Sequence, residues 1–326
     1  MKLTILTQKK QRLDEYRPLP PELVRNLEDW FRVELTYTSN AIEGNTLSRQ
    51  ETALVVEKGI TVEGKTLKEH LEAVDHVQAL DFIKSLVDAK RKDIFQKDIL
   101  DIHKFILAKI DDTNTGRLRN IPVRIAGSRV IMPNPLRVPE LMDEFEKWLR
   151  AENKDHPAKI SADAHYKLVT IHPFVDGNGR TARLLMNLIL MQEGYPPAII
   201  RKEDRRRYIN AIEKAQSGGS LKDFYELIYK AVERSLDIYL EALSPKEKNG
   251  AKKDNLLKIG ELAKETGETN HTIRFWTKEG LLEVKDYTKS GYQLYEPSMI
   301  DRVKEIRGLQ SKKRLALEEI KKLLGV

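Results

Sequence analysis

Apolar residues recur at three- and four-residue intervals through most of the first 243 positions, which predicts a mainly α-helical chain. Leu27 and Phe31 belong to this pattern. Polar and small residues interrupt it at 37–47. A new helix is expected after that break, because Ser48 and Glu51 have the spacing of a capping box. Further helices are expected at roughly 67–87, 99–108, 141–149, 204–216 and 221–243.

One segment alternates with a period of two instead. Residues 121–131, called the flap below, place apolar and polar residues alternately on either side of Gly127 and Ser128. This alternation around a turn predicts a short β-hairpin.

The chain divides where the helical pattern stops. Residues 244–256 lack an apolar period and are rich in lysine, which predicts a flexible linker. We therefore expect an N-terminal helical region at 1–95, a helical core at 96–243, the linker, and a separate domain at 257–326.

Composition narrows the function classes. The 326 residues contain no cysteine, which excludes disulfides and thiol nucleophiles and is compatible with a cytoplasmic protein. No signal peptide or membrane span is expected, because no long apolar run occurs. The net charge is +7, and residues 251–326 contribute +4 of it with 16 basic and 12 acidic side chains. This imbalance suggests an anionic partner for the C-terminal domain.

The strongest chemical signal is the segment 172–183, His-Pro-Phe-Val-Asp-Gly-Asn-Gly-Arg-Thr-Ala-Arg. A glycine-containing loop leads into an apolar helix, and a helix N-terminus favours an anion. Arg180 and Arg183 lie three residues apart, so they project from one side of the first turns. Asp176 can hold a magnesium ion, and His172 can move a proton. Together these residues predict a polyphosphate site.

Five histidines precede this segment, and we interpret three of them. His103 is expected on the polar face of its helix. His156 and His165 are expected to be structural.

Residues 172–183 match the signature H-x-F-x-D/E-G-N-G-R-x-x-R throughout, and residues 21–243 resemble the Fic family. The resemblance implies a helical fold with a small hairpin beside the active site, and transfer of AMP from ATP to a protein hydroxyl. His172 would be the general base, and Asp176 would hold Mg²⁺. The nucleotide-binding residues implied by the resemblance are Gly177, Asn178, Gly179, Arg180 and Arg183. Tyr208 would lie near the adenine, although a position in the core is an equal alternative.

The flap gains a role from the same resemblance. In this family it pairs main chain to main chain with an extended target segment, which presents the target hydroxyl. The residues to which this role would fall are Val123, Arg124, Ile125, Ala126, Gly127, Ser128, Arg129 and Val130. The target is a protein with a hydroxyl side chain, and the chain itself is one candidate.

A second family pattern, S/T-x-x-x-E-G/N, matches Ser39, Glu43 and Gly44. By this resemblance Glu43 would end a short helix beside the nucleotide and pair with Arg183. The arginine needed for the γ-phosphate would then be occupied, because one guanidinium binds one strong anion at a time. The alternative is an ordinary helix C-terminus with Gly44 as its cap.

The C-terminal domain resembles the winged helix-turn-helix of MerR-type regulators over 257–324. The residues that carry the resemblance are Ile259-Gly260-Glu261-Leu262-Ala263, Thr272-Ile273-Arg274-Phe275-Trp276 and Gly291-Tyr292-Gln293-Leu294-Tyr295. His271, Thr272 and Arg274 would face the major groove. Lys285, Lys289 and Tyr292 would contact phosphates. The long dimerisation helix of those regulators is missing, so tight binding to DNA would require pairing through the Fic part as a homodimer.

The sequence therefore predicts an autoinhibited protein adenylyltransferase with an appended DNA-binding domain. A nucleotide-sensing DNA-binding regulator is one alternative, and hydrolysis of AMP-protein is another. Transfer of UMP, phosphate or phosphocholine and a C-terminal module that docks on protein are also open.

Overall fold

The computed structural model describes residues 2–243, 256–287, 293–312, 315 and 317–324. The chain forms two compact units, Met1–Pro245 and Lys246–Val326. Apart from residue 256, the predicted linker lies outside the described residues. None of the described helices is long and apolar enough to cross a bilayer.

The first unit is helical over most of its length. Its α-helices are α1 Lys2–Asp14, α2 Pro21–Ile42, α3 Arg49–Lys58, α4 Leu67–Ser85, α5 Gln96–Leu107, α6 Val138–Arg150, α7 Pro157–Ile171, α8 Asn178–Gln192, α9 Arg205–Gln216 and α10 Lys222–Leu243. The capping box predicted at Ser48 and Glu51 is confirmed at the start of α3. Helix α1 was not predicted, and it packs on α10 through the buried residues Leu6 and Leu13.

Helix α8 is the central element of this unit. One side of it, including Leu185 and Leu188, belongs to one hydrophobic cluster. Met186 and Leu190 on another side belong to a second cluster. A helix surrounded by apolar partners cannot shift without disrupting the packing of both clusters, so the position of its N-terminus is fixed.

Helix α2 corrects two predictions. The polar stretch at 37–47 does not break the helix before Ile42. Glu43, whose expected pairing with Arg183 is called the brake below, follows a 22-residue helix rather than a short one. The polar residues of this stretch stay helical because their side chains have hydrogen-bond partners: Thr38 Oγ1 donates to Glu34 O at 2.7 Å, and Asn40 Nδ2 donates to Glu72 O at 3.2 Å.

The flap has the predicted turn but not the predicted ladder. Ser128 N donates to Ile125 O at 3.1 Å, and Gly127 has a φ of +81°. Within 121–131, all of which the structure describes, no strand is formed. Ile121 and Ile131 are 50% and 81% exposed, so the arms have no apolar face to pack on. An isolated two-stranded hairpin of this kind is marginal, which explains the missing pairing.

The second unit is a small winged helix-turn-helix, and the predicted fold class is confirmed. Its elements are β1 Leu257–Lys258, α11 Ile259–Thr266, α12 Asn270–Lys278, β2 Asp286–Tyr287, β3 Gln293–Tyr295, α13 Ser298–Lys312 and α14 Leu317–Leu324. The strands form an antiparallel sheet in the order β1-β3-β2, with Leu257 opposite Tyr295 and Asp286 opposite Leu294. Gly267, at a φ of +72°, makes the turn between α11 and α12.

Candidate active site

The loop between α7 and α8 is fixed at both ends by left-handed backbone. His172 has a φ of +51°, a conformation that residues other than glycine seldom adopt. Gly177 caps the N-terminus of α8 at a φ of +76°. A Cβ at Gly177 would lie 3.2 Å from His103 Cδ2, so a side chain there would be crowded as well as strained in its backbone.

The interior of the loop is held by Asn178. Its Oδ1 accepts from Phe174 N and its Nδ2 donates to Phe174 O, both at 2.9 Å. Both polar groups of the Asn178 side chain are thus engaged in shaping the loop. The Phe174 ring is fully buried and stacks on His103, with ring centroids 3.7 Å apart.

His103 contradicts its predicted place on a polar face, because it is fully buried under the loop. Its Nδ1 accepts from Gly116 N, so Nε2 carries the proton and donates to Asp176 O at 3.0 Å. Burial lowers the pKa of His103 to about 4, which keeps the ring neutral. His103 therefore supports the backbone of Asp176.

His172 is placed to accept a proton. Its Nδ1 lies 3.3 Å from Val169 O and donates to that carbonyl in the neutral ring, which leaves Nε2 as the acceptor. Burial is the main cause that lowers the pKa of His172, and the charge of Arg119 acts in the same direction. The neutral form thus extends to lower pH than for an ordinary histidine.

Arg180 is buried with unused donors. Its Nη1 lies 3.5 Å from Glu72 Oε1, and its Nη2 lies 3.6 Å from Asp176 Oδ2. Neither Nε nor Nη1 makes a hydrogen bond with any residue that the structure describes. Burying charged donors without partners is costly, so this guanidinium is suited to an incoming anion.

Arg183 donates hydrogen bonds to Ser39 in α2 and to Glu43, which directly follows that helix. Nη2 donates to Glu43 Oε1 at 2.6 Å and to Ser39 O at 3.0 Å, and Nε donates to Ser39 Oγ at 3.0 Å. Burial alone would lower the pKa of Arg183, but the charge interactions and hydrogen bonds with Glu43 and Tyr208 together outweigh it and raise that pKa. A Cβ at Gly179 would lie 2.5 Å from Glu43 Oε1. The Glu43 carboxylate therefore lies against the first turn of α8. Gly44, with a φ of +103°, follows it.

Tyr208 lies in the core, which is one of its two predicted alternatives. Its side chain is only 3% exposed and its hydroxyl lies 2.7 Å from His165 Nε2. Arg183 Nη1 donates to the same hydroxyl at 3.4 Å. His165 is buried, with its pKa lowered to about 3 by burial, as expected of a structural histidine.

The donor set fits a magnesium ion that arrives with a nucleotide. The Asp176 side chain is 60% exposed, and its Oδ1 accepts only the adjacent Gly177 N–H at 2.6 Å. Among the residues that the structure describes, no group of three or more His, Cys, Asp or Glu side chains could hold a metal by itself. Mg²⁺ is commonly held by one or two carboxylates plus substrate phosphates, which one exposed carboxylate can supply.

The predicted DNA contacts lie in the second unit. His271 and Arg274 are exposed on α12, while Thr272 is half-buried and its Oγ1 lies 2.9 Å from Thr269 Oγ1. Lys285 Nζ pairs with Glu296 at 2.9 Å. Lys289 and Tyr292 lie outside the described residues.

Some residues of the site carry no sequence signal of their own. Glu72 pairs with Arg180, Arg119 donates to the carbonyl of His172, and Glu213 accepts from the flap. Each lies far along the chain from its partner, so spacing could not reveal it.

Comparisons with known proteins agree with this geometry. Residues 93–190 match the model of the Fic/DOC family, and residues 257–325 match the model described as MerR HTH family regulatory protein. A curated relative, "Protein adenylyltransferase Fic" from Culex quinquefasciatus, is 39% identical over 73% of this chain and 47% of its own length. The chain thus spans about half the length of the curated relatives it matches.

Two solved structures resemble the chain over a larger share of their length. "Fic-1 (aa134 - 508)" from C. elegans is 34% identical with a TM-score of 0.67, covering 74% of this chain and 72% of that one. A Fic domain containing signaling protein from Bacteroides thetaiotaomicron is 30% identical, also with a TM-score of 0.67, over 74% of this chain and 96% of its own. Both similarities extend well beyond the loop and α8. The chain belongs to the Fic/DOC family.

Proposed function

We propose that the chain is an autoinhibited protein adenylyltransferase that moves AMP from ATP to a protein hydroxyl, and that its C-terminal unit binds DNA. The observation that carries the proposal is the 2.6 Å pair of Glu43 with Arg183 beside Arg180, whose buried donors lack hydrogen bonds. These residues form an anion site in which Arg180 has donors to offer, while Arg183 is engaged by Glu43. The name of the curated relatives, protein adenylyltransferase, supports the choice of AMP.

The nucleotide is proposed to lie across the N-terminus of α8. The main-chain N–H groups of Asn178 and Gly179 face its phosphates, and Gly177 lets the backbone approach them closely. Arg180 binds the β-phosphate and Arg183 binds the γ-phosphate. Asp176 would hold a Mg²⁺ ion, which would neutralise part of the phosphate charge. The buried positive charges of Arg180 and Arg183 would thus stabilise the phosphates in place of water.

His172 is proposed to be the general base. Its Nε2 takes the proton from the target hydroxyl as the hydroxyl oxygen bonds to the α-phosphorus. The bond between the α-phosphorus and the α,β-bridging oxygen breaks, and pyrophosphate leaves. Its Nδ1 contact with Val169 O holds the ring in the tautomer that this step needs.

The flap is proposed to dock the target segment. Its arms form no ladder with each other, so main-chain groups remain for a target strand. Ile125 and Ile131 are 37% and 81% exposed, which offers apolar contact to side chains of that strand.

Binding of DNA is proposed for α12. His271 and Arg274 are exposed on the second helix of a helix-turn-helix, the helix that enters the major groove in this motif. The net charge of +4 over residues 251–326 supports an anionic partner.

Transfer of label from ATP labelled at the α-phosphate tests the enzyme. The Glu43→Gly protein is expected to label itself faster than the wild type, and a Glu43→Gly/His172→Ala protein is expected to remain unlabelled. Retention of nucleotide binding without label in any variant would reject the transferase and favour a nucleotide-sensing regulator.

A further inference from the structure

The base of the flap is tied to the main chain of His172 by one buried arginine. Arg119 is only 3% exposed, and its Nε donates to His172 O at 2.7 Å. Its Nη1 donates to Ile121 O at 3.1 Å, and its Nη2 donates to Pro133 O at 2.7 Å. Ile121 begins the flap and Pro133 lies just beyond its end. One planar guanidinium therefore joins both ends of the flap to the proposed base.

The tip of the flap is tied to α9 by a carboxylate. Glu213 Oε1 accepts from Ser128 Oγ at 2.8 Å and from Arg129 N at 3.1 Å. These bonds lower the pKa of Glu213, so the acceptor is ionised near neutral pH. Ser128 Oγ in turn accepts from Val130 N at 3.1 Å.

The two arms of the flap consequently differ. In the second arm, the N–H groups of Ser128, Arg129 and Val130 all have acceptors within the chain. No acceptor within the described part of the chain takes a hydrogen bond from the main-chain N–H of Val123, Arg124 or Ile125. The second arm is fixed, while the first is open to pair with another strand.

We propose that Arg119 and Glu213 are positioning residues that fix the flap above His172 at its base and its tip. Together they set the register in which the first arm presents a target hydroxyl to the imidazole. The inference rests on the proposed transferase function. Because the flap has no ladder and little buried apolar surface, these bonds supply the rigidity that a hairpin would otherwise provide. Misplacement of a substrate by about 1 Å can lower a rate by about 100-fold, so such anchoring affects turnover.

The test uses the full chain with Glu43→Gly as the parent enzyme and a tagged His172→Ala chain as the acceptor. Arg119→Lys keeps the charge but cannot bridge three carbonyls, and Glu213→Ala removes the tip anchor. Arg91→Lys is the matched control for the arginine, because Arg91 also donates to two carbonyls, those of Leu149 and Ala151. Glu144→Ala, on the exposed face of α6, is the control for the glutamate.

Each anchor has its own expected signature. Arg119→Lys is expected to lower kcat for AMP transfer by about 10- to 100-fold with unchanged ATP binding. Glu213→Ala is expected to raise KM for the acceptor chain by about 3- to 10-fold, because the flap must then be ordered on docking. Glu213→Gln, which keeps an acceptor oxygen, is expected to recover part of that loss. Values within twofold of the parent for both Arg119→Lys and Glu213→Ala would overturn the proposal while the transferase stands.

Hydrogen exchange separates the inference from the proposed function. The Arg129 amide is expected to lose protection in Glu213→Ala but to keep it in Glu144→Ala, whether or not the parent transfers AMP. Equal protection in the two variants would overturn the tip anchor. A parent that transfers no AMP would count against the proposed function alone.

Discussion

Removal of the Glu43 charge should release the site by a predictable amount. Arg183 Nη2 donates to Glu43 Oε1 at 2.6 Å, a charge-assisted hydrogen bond. Such bonds contribute about 1.5–3 kcal/mol, against about 0.5–1.5 kcal/mol for a neutral one. Glu43→Gly loses the whole contact, which corresponds to about 10- to 150-fold in the transfer rate. The Glu43 side chain is 37% exposed, so the lower part of that range is expected.

Glu43→Gln distinguishes charge from bulk. The glutamine oxygen can still accept from Arg183, so only the charged part of the bond is lost. That difference of about 1 kcal/mol corresponds to about a fivefold increase in rate. The measurement is the initial rate of AMP incorporation from labelled ATP. The matched control is Glu57→Gln on the exposed face of α3, which should leave the rate unchanged.

Two outcomes would contradict this reasoning. A Glu43→Gln rate equal to that of Glu43→Gly would show that the carboxylate charge does not compete for Arg183. A Glu43→Gly rate equal to that of the wild type would refute the brake itself.

Three further predictions follow from burial and exposure. Burial lowers the pKa of His172 below its ordinary 6.5. The acid limb of the pH–rate profile of Glu43→Gly should therefore have its midpoint below pH 6.5. A midpoint at or above pH 6.5 would contradict the assignment of a buried, neutral general base. The pKa values of His103 and His165 are about 4 and 3 in the folded chain, against 6.5 when it is unfolded. The unfolded chain therefore binds protons at these histidines first as the pH falls. Their contribution to the free energy of unfolding is complete above pH 6.5 and is lost as the pH falls below that value. Each histidine should lower the free energy of unfolding by about 2 kcal/mol between pH 7 and pH 5. Urea unfolding at the two pH values should therefore show a smaller loss of that free energy in His103→Gln than in the parent. Arg274→Ala should weaken binding to DNA fragments selected from a genomic library by about 1–3 kcal/mol but affect a mixed-sequence duplex much less; equal losses on both would place Arg274 on the phosphates instead.

Local chemistry explains how far the sequence could predict the site. Residues 172–183 carry a loop, a helix N-terminus and two arginines within one short segment, so their proximity follows from chain connectivity. The course of α2 could not be predicted in the same way. Its polar residues 38–40 resemble a helix end in the sequence, because the partner of Asn40, the Glu72 carbonyl in α4, is distant along the chain.

Long-range contacts explain the remaining differences. His103 looked like a surface residue because only the fold brings Phe174 onto its ring. Arg119 binds main-chain carbonyls, which every residue possesses, so no residue type at the other end marks the contact. Glu213 binds a main-chain N–H and the Ser128 hydroxyl, and only the fold brings that serine near it. The flap turn was predictable from its glycine, whereas pairing of its arms depended on an apolar partner that the fold does not supply.

The brake shows how spacing and tertiary contacts combine. Residues four apart on a helix share one face, so Ser39 and Glu43 can reach a single guanidinium. Ser39 accepts two of the bonds from Arg183, through its hydroxyl and its carbonyl, and Glu43 accepts one. Loss of Glu43 therefore leaves Arg183 held in place with a donor free for an anion. Because Ser39 is buried while the Glu43 side chain is partly exposed, we expect release to need a rotation of that one side chain rather than movement of α2.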